Sequence, residues 1–186
     1  MQDFFGLLNS PVLQSIPITP LNTNAAGERA PAHYDLCIDQ FNVATSPRYQ
    51  PSAGKTFCNI FAWDVCTAMG VEFPHWVDAL DYPSNPQHGR EVTANFLHDW
   101  LDCPKGREFG WREVGSVDGQ VNANGGQPTL AIWHGQGRMH GHVAMVRPAV
   151  WTPTGPVVAQ AGATCFARGS VGKAFGVRQP RYYCAP

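Results

Sequence analysis

The sequence predicts an α+β fold: a helix with a cysteine at its start, packed on a short antiparallel sheet. Three observations predict it. Thr56 to Met69 carries apolar residues at helical spacing. The second half changes period and breaks into short apolar runs bounded by Gly, Pro and polar turns. The 186 residues include 19 glycines and 16 prolines, too many turn formers for a helical bundle. A helix followed by short antiparallel strands is an α+β arrangement.

The elements follow in chain order. Residues 1–32, rich in Pro, Asn, Thr and Ala with an apolar stretch from Phe4 to Leu8, are expected to form an N-terminal arm strapped over the surface. Residues 33–186 form the one domain. YDLCIDQFNV (34–43) reads as a strand or short helix, and the turn-rich SPRYQPSAGK follows. In TFCNIFAWDVCTAM (56–69), Phe57, Ile60, Phe61, Val65 and Ala68 recur at helical spacing, and Gly70 stops the helix as a C-cap glycine would. EVTANFLHDWL (91–101) is a second amphipathic helix. PTLAIW (128–133), GHVAMVRP (141–148) and GPVVAQAG (155–162) read as three strands, and RYYC (181–184) as a fourth.

Composition bounds the function. Thirteen Lys and Arg against fourteen Asp and Glu leave a net charge of -1, so no basic field exists to gather phosphate backbone or anionic lipid. Neither nucleic acid nor membrane is an expected partner. No apolar run reaches the ~20 residues that span a bilayer. The start lacks a basic n-region and is interrupted by Pro11 and Pro17, so it does not read as a secretory signal. The six cysteines (Cys37, Cys58, Cys66, Cys103, Cys165, Cys184) include no CxxC pair, which argues against a zinc ribbon. With one thiol catalytic, the other five allow two disulfides and one odd cysteine.

Cys58 falls at the helix start, where unpaired N–H groups and the macrodipole stabilise a thiolate and can hold an oxyanion. A cysteine nucleophile needs a base, usually histidine, and a polar group to hold that histidine. His142 sits in the GHVAMV strand, where a polar ring is costly unless it faces a site. Gln160 lies in the next strand and would stand opposite His142 in a hairpin. Tyr49, nine residues upstream of Cys58, is a candidate oxyanion donor. Trp133 and Trp76 are candidates to line a substrate groove. Asp64 falls off the cysteine's face of the helix, six steps of ~100° away, and reads as structural. Asn59 reads as a cap or a tie across to the sheet.

The string TFCNIFAWDVCTAMG, with GHVAMVRP and VVAQAG downstream, resembles the papain-like cell-wall hydrolases of the NlpC/P60 and CHAP superfamily. The resemblance extends from about Phe41 to Tyr183 and includes FPHWVD, TANFLHDWL and GWREV. It implies a papain-like NlpC/P60-type fold with Cys58 as nucleophile, His142 as base and Gln160 as the orienting residue. That third position is commonly His, Asn, Asp or Glu, so glutamine departs from the pattern. The resemblance implies cleavage of amide bonds in bacterial peptidoglycan, by a stem-peptide endopeptidase or an N-acetylmuramoyl-L-alanine amidase. It implies no cofactor.

Two settings suit a wall hydrolase made in the cytoplasm without a signal peptide: a phage lysin released at lysis, or an antibacterial effector delivered by a secretion machine. The second would bring a cognate immunity or inhibitor protein as partner. Two other readings compete. His134, His140 and His142 could hold zinc in a metal-dependent hydrolase, with Cys165 as a remote ligand, although no HExxH helix accompanies them. A non-catalytic wall-binding module on the same fold is the other, and the intact Cys58 and His142 argue against it.

Overall fold

The computed structural model describes residues 15–137 and 139–186. Its architecture is mixed α+β. Six strands, β3 (Arg112–Val114), β4 (Thr129–Trp133), β5 (His142–Val146), β6 (Val157–Gln160), β7 (Phe166–Ser170) and β8 (Arg181–Cys184), form one antiparallel sheet in the order β3-β8-β4-β5-β6-β7. A small ribbon pairs β1 (Trp76–Val77) with β2 (Arg90–Glu91). The helices are α1 (Pro31–Asp39), α2 (Cys58–Ala68), α3 (Ala94–Asp102), α4 (Pro104–Glu108), α5 (Ser116–Asn124) and α6 (Val171–Phe175). None of the described helices is long and apolar enough to cross a membrane.

The central hairpin fixes the site. Thr129 pairs with Val146, Ala131 with Ala144 and Trp133 with His142, so these residues share one face. Ala131 and Ala144 are fully buried. Their small side chains let α2 come down beside His142. That helix is apolar around most of its circumference, with Ile60, Phe61, Val65, Cys66 and Ala68 buried. It ends in a Schellman motif: Val71 N–H donates to Cys66 C=O and Gly70 N–H to Thr67 C=O, with Gly70 at φ +64°.

Several expected elements change. Of the two alternatives for 34–43 the structure takes the helix, which runs from Pro31 to Asp39 and leaves 40–43 outside it; Pro31 sits in the first turn, where a missing N–H costs nothing. The second helix starts at Ala94, capped by Thr93 Oγ1 accepting from Phe96 N–H, while Arg90 and Glu91 pair with the ribbon. Strands β3 and β7 and helices α4, α5 and α6 have no counterpart in the sequence reading. All six cysteines are free thiols, so neither disulfide that the count allowed is formed.

Residues 15–30 are tied along the domain. Ser15 Oγ donates to Glu91, Asn24 N–H to Ala68 C=O, Asn24 Nδ2 to Gly126 C=O, and Arg29 to Pro186 C=O. The Phe4–Leu8 stretch lies outside the described residues.

Candidate active site

Cys58 is the first residue of α2 and is 4% exposed. Phe57 at the N-cap contributes no side-chain acceptor, so no cap consumes the N–H groups of the first turn. Burial pushes the Cys58 thiol up. The hydrogen bond and charge of His142, with backbone N–H groups of Val143 and Asn59, outweigh burial and hold it below the ordinary thiol value. His142 responds in the opposite sense. Burial pushes its imidazole down, while the bond and charge of Cys58 and the Gln160 hydrogen bond raise it above its usual value. Each shift favours the thiolate–imidazolium pair.

The orientation of the imidazole follows from a short relay. Gln160 Nε2 donates to Thr164 C=O at 2.9 Å, which turns Gln160 Oε1 toward His142 Nε2 at 2.5 Å. An amide oxygen only accepts, so Nε2 carries a proton. Nδ1 is the nitrogen left for the thiol, and in neutral imidazole it holds a lone pair there. Gln160 thus fixes the tautomer that a general base needs.

Gln160 does not stand directly opposite His142. Met145 pairs with Ala159 and Val146 with Val158. Continued, this register sets Gly162 level with His142 and Gln160 on the diagonal. The long glutamine side chain reaches across because Gly162 has none. A Cβ there would lie 3.3 Å from His142 Cε1 and 3.5 Å from Gln160 Nε2.

Beside Cys58 opens a cleft of about 490 Å³. The start of α2 (Cys58, Asn59) forms one wall, and the start of α3 (Thr93, Ala94, Asn95) another. Met139 to Gly141, ahead of β5, form a third, and Lys55 and Glu91 add charge. Asn95 holds that third wall in place: its Oδ1 accepts from Gly135 N–H and its Nδ2 donates to the Gly135 and Met139 carbonyls. Asn59 Nδ2 donates to Val92 C=O and ties α2 to the segment after β2. The hydrogen bond from His75 holds the Glu91 carboxyl below the usual carboxylate range. Glu91, Lys55 and Asn95 escaped the sequence reading. The Thr93 cap could have signalled that Glu91 precedes α3.

The other sequence candidates go elsewhere. Tyr49 is 1% exposed, and its hydroxyl donates to Asp64 Oδ2 at 2.7 Å. That carboxylate also takes two bonds from Arg48, at 2.7 and 3.0 Å. The Tyr49 hydroxyl is therefore engaged away from Cys58, and Asp64 is the hub of a buried polar cluster. Trp133 stands directly beside His142 and is not among the residues that line the cleft. Trp76 pairs with Glu91 in the ribbon and packs edge-on against His75 at 5.4 Å, outside the cleft lining. The three clustered histidines diverge. His134 faces Asp99 and His98, His140 lines the cleft, and His142 is bound to Gln160. Among the described residues no group of three or more His, Cys, Asp or Glu is placed to hold a metal ion.

No family model and no curated protein matches the chain.

Proposed function

We propose that the chain is a cysteine hydrolase of amide bonds with a papain-like arrangement, acting on bacterial peptidoglycan. The observation that carries the reading is the relay Cys58–His142–Gln160: a helix-start thiol held below its ordinary pKa beside an imidazole whose tautomer an amide fixes. The peptidoglycan substrate rests on the sequence resemblance alone.

In this mechanism the Cys58 thiolate attacks the carbonyl carbon, and the oxyanion is held by first-turn N–H groups of α2. The C–N bond breaks as His142 Nδ1 gives its proton to the leaving amine. Water then attacks the thioester. Nδ1 takes the proton of that water, the acyl group leaves as a carboxylic acid, and the thiolate–imidazolium pair is restored. A phage lysin and a delivered antibacterial effector both suit such an enzyme, the second with an immunity protein as partner.

The test is digestion of purified peptidoglycan followed by mass spectrometry of the muropeptides. New amine and carboxyl ends are expected with the wild type and not with folded Cys58→Ala. Equal release by the two proteins would overturn the reading.

A further inference from the structure

One neighbour of the His142 imidazole has no part in this mechanism. Trp133 stands beside it on the same face, as its direct cross-strand partner. On the Trp133 ring lies the Arg178 guanidinium, 4.9 Å from the ring centroid.

The chain is built to put it there. Phe175, at the end of α6, packs on the imidazole at 5.0 Å, and the turn that follows is closed by Arg178 N–H donating to Phe175 C=O. Gly176 takes φ +63° in that turn. Arg178 is exposed. Among the described residues the arginines in ion pairs are Arg48, Arg90, Arg147, Arg168 and Arg181; Arg178 has no carboxylate partner. Its positive charge is felt at His142, where it opposes protonation.

A cation that disfavours the imidazolium works against the catalytic pair, so catalysis of proton transfer does not explain its position. The guanidinium rests on the indole with Nη1 donating to Phe175 C=O at 3.5 Å, a second tie that holds its plane, and its remaining N–H groups can take a carboxylate in two parallel bonds. We propose that Arg178, seated on Trp133, is a subsite for a free carboxylate carried by the substrate close to the scissile amide. The inference rests on Cys58 being the nucleophile and narrows the substrate to acidic peptide amides.

Alkylation of Cys58 by iodoacetate and by iodoacetamide, read by peptide mapping, tests both statements without a substrate. The two reagents draw on the same thiolate, so their rate ratio cancels any change in Cys58 or His142 ionisation and reports the pull on a carboxylate. Arg178→Ala should lower the iodoacetate-to-iodoacetamide ratio roughly five- to tenfold, the effect of one nearby charge in partly screened surroundings. Arg178→Lys should restore most of it, and Arg178→Glu should lower it further. Added salt should lower the ratio in the wild type and scarcely in Arg178→Ala.

A retained iodoacetamide rate shows that each variant keeps a folded site. An equal ratio in wild type and Arg178→Ala, with iodoacetamide reacting normally, would overturn the carboxylate subsite alone. Failure of iodoacetamide to modify wild-type Cys58 would remove the thiol-hydrolase reading and this inference with it.

Discussion

Cys58 and His142 hold each other's ionisation, and that coupling can be measured. Of the influences on His142, Cys58 supplies the two strongest that raise it, against burial and the Arg178 charge that lower it. In Cys58→Ala burial and the Arg178 charge remain while the Cys58 bond and charge are gone, so the imidazole should titrate at lower pH than in the wild type. NMR of the His142 ring checks this, and an unchanged titration would refute the coupling. The sign also sets the pH profile. The thiol loses its proton below its ordinary value of 9.0 and the imidazole keeps its own above 6.5. Activity should fall on the acid side as the thiolate protonates, and on the alkaline side as His142 deprotonates. Gln160→Ala should lower kcat ten- to a hundredfold, the cost of an orienting bond of ~1–3 kcal/mol, with KM little changed. Gln160→Glu should raise the His142 pKa and carry the alkaline limb to higher pH. A fully active Gln160→Ala enzyme would assign the orienting role elsewhere.

At the level of elements, the turn between β4 and β5 delivers His142, the base of the proposed mechanism, and its end at Gly141 leaves no room for a side chain. A Cβ on Gly141 would lie 2.3 Å from Asn95 Oδ1, which is hydrogen-bonded in the cleft wall, and 2.8 Å from the backbone carbonyl of Trp133. Gly141→Ala must therefore move the start of β5, where His142 sits. A displacement of ~1 Å at a reacting group costs about a hundredfold in rate, so activity should drop by that order while the circular dichroism spectrum stays the same. Muropeptide release measures the first and spectroscopy the second. An undiminished rate would mean that His142 does not need this turn.

Across the whole molecule, a buried cation joins the helical layer to the sheet. Arg147, just after β5, is 1% exposed and reaches Asp35 at 2.7 Å and Asp39 at 2.8 Å on α1, with Ala167 C=O as a further acceptor. Replacing both aspartates by asparagine strands the guanidinium without a countercharge. That should cost ~3–5 kcal/mol, a fall in melting temperature of roughly 6–20 °C by scanning calorimetry. A loss under one degree would refute this contribution of the Arg147 pairs to stability. The same global burial separates the thiols. Burial pushes Cys37 up to about 11 and raises Cys66 and Cys165. Cys58 alone is lowered among the thiols whose ionisation is displaced. Iodoacetamide at pH 7 should therefore label Cys58 before the other five, and labelling of another cysteine first would count against the site.

Local pattern determined the helix that begins at Cys58, its glycine stop and the four strands at 128–133, 141–148, 155–162 and 181–184. Each depends on spacing within a dozen residues: period 3.6 for Phe57 to Ala68, short apolar runs between turn residues for the rest. The order Cys58, His142, Gln160 was legible for the same reason. The contacts that complete the site span long separations, which periodicity does not encode. Only the tertiary structure turned the Tyr49 hydroxyl to Asp64, because a buried carboxylate beside Arg48 attracts a donor more strongly than an exposed cleft does. It also set Gln160 on the diagonal, a matter of β5–β6 register that neither strand specifies alone. The cleft walls from Thr93 to Asn95 and the seat of Arg178 on Trp133 likewise came from the sheet, which brings residues far apart in sequence to one face.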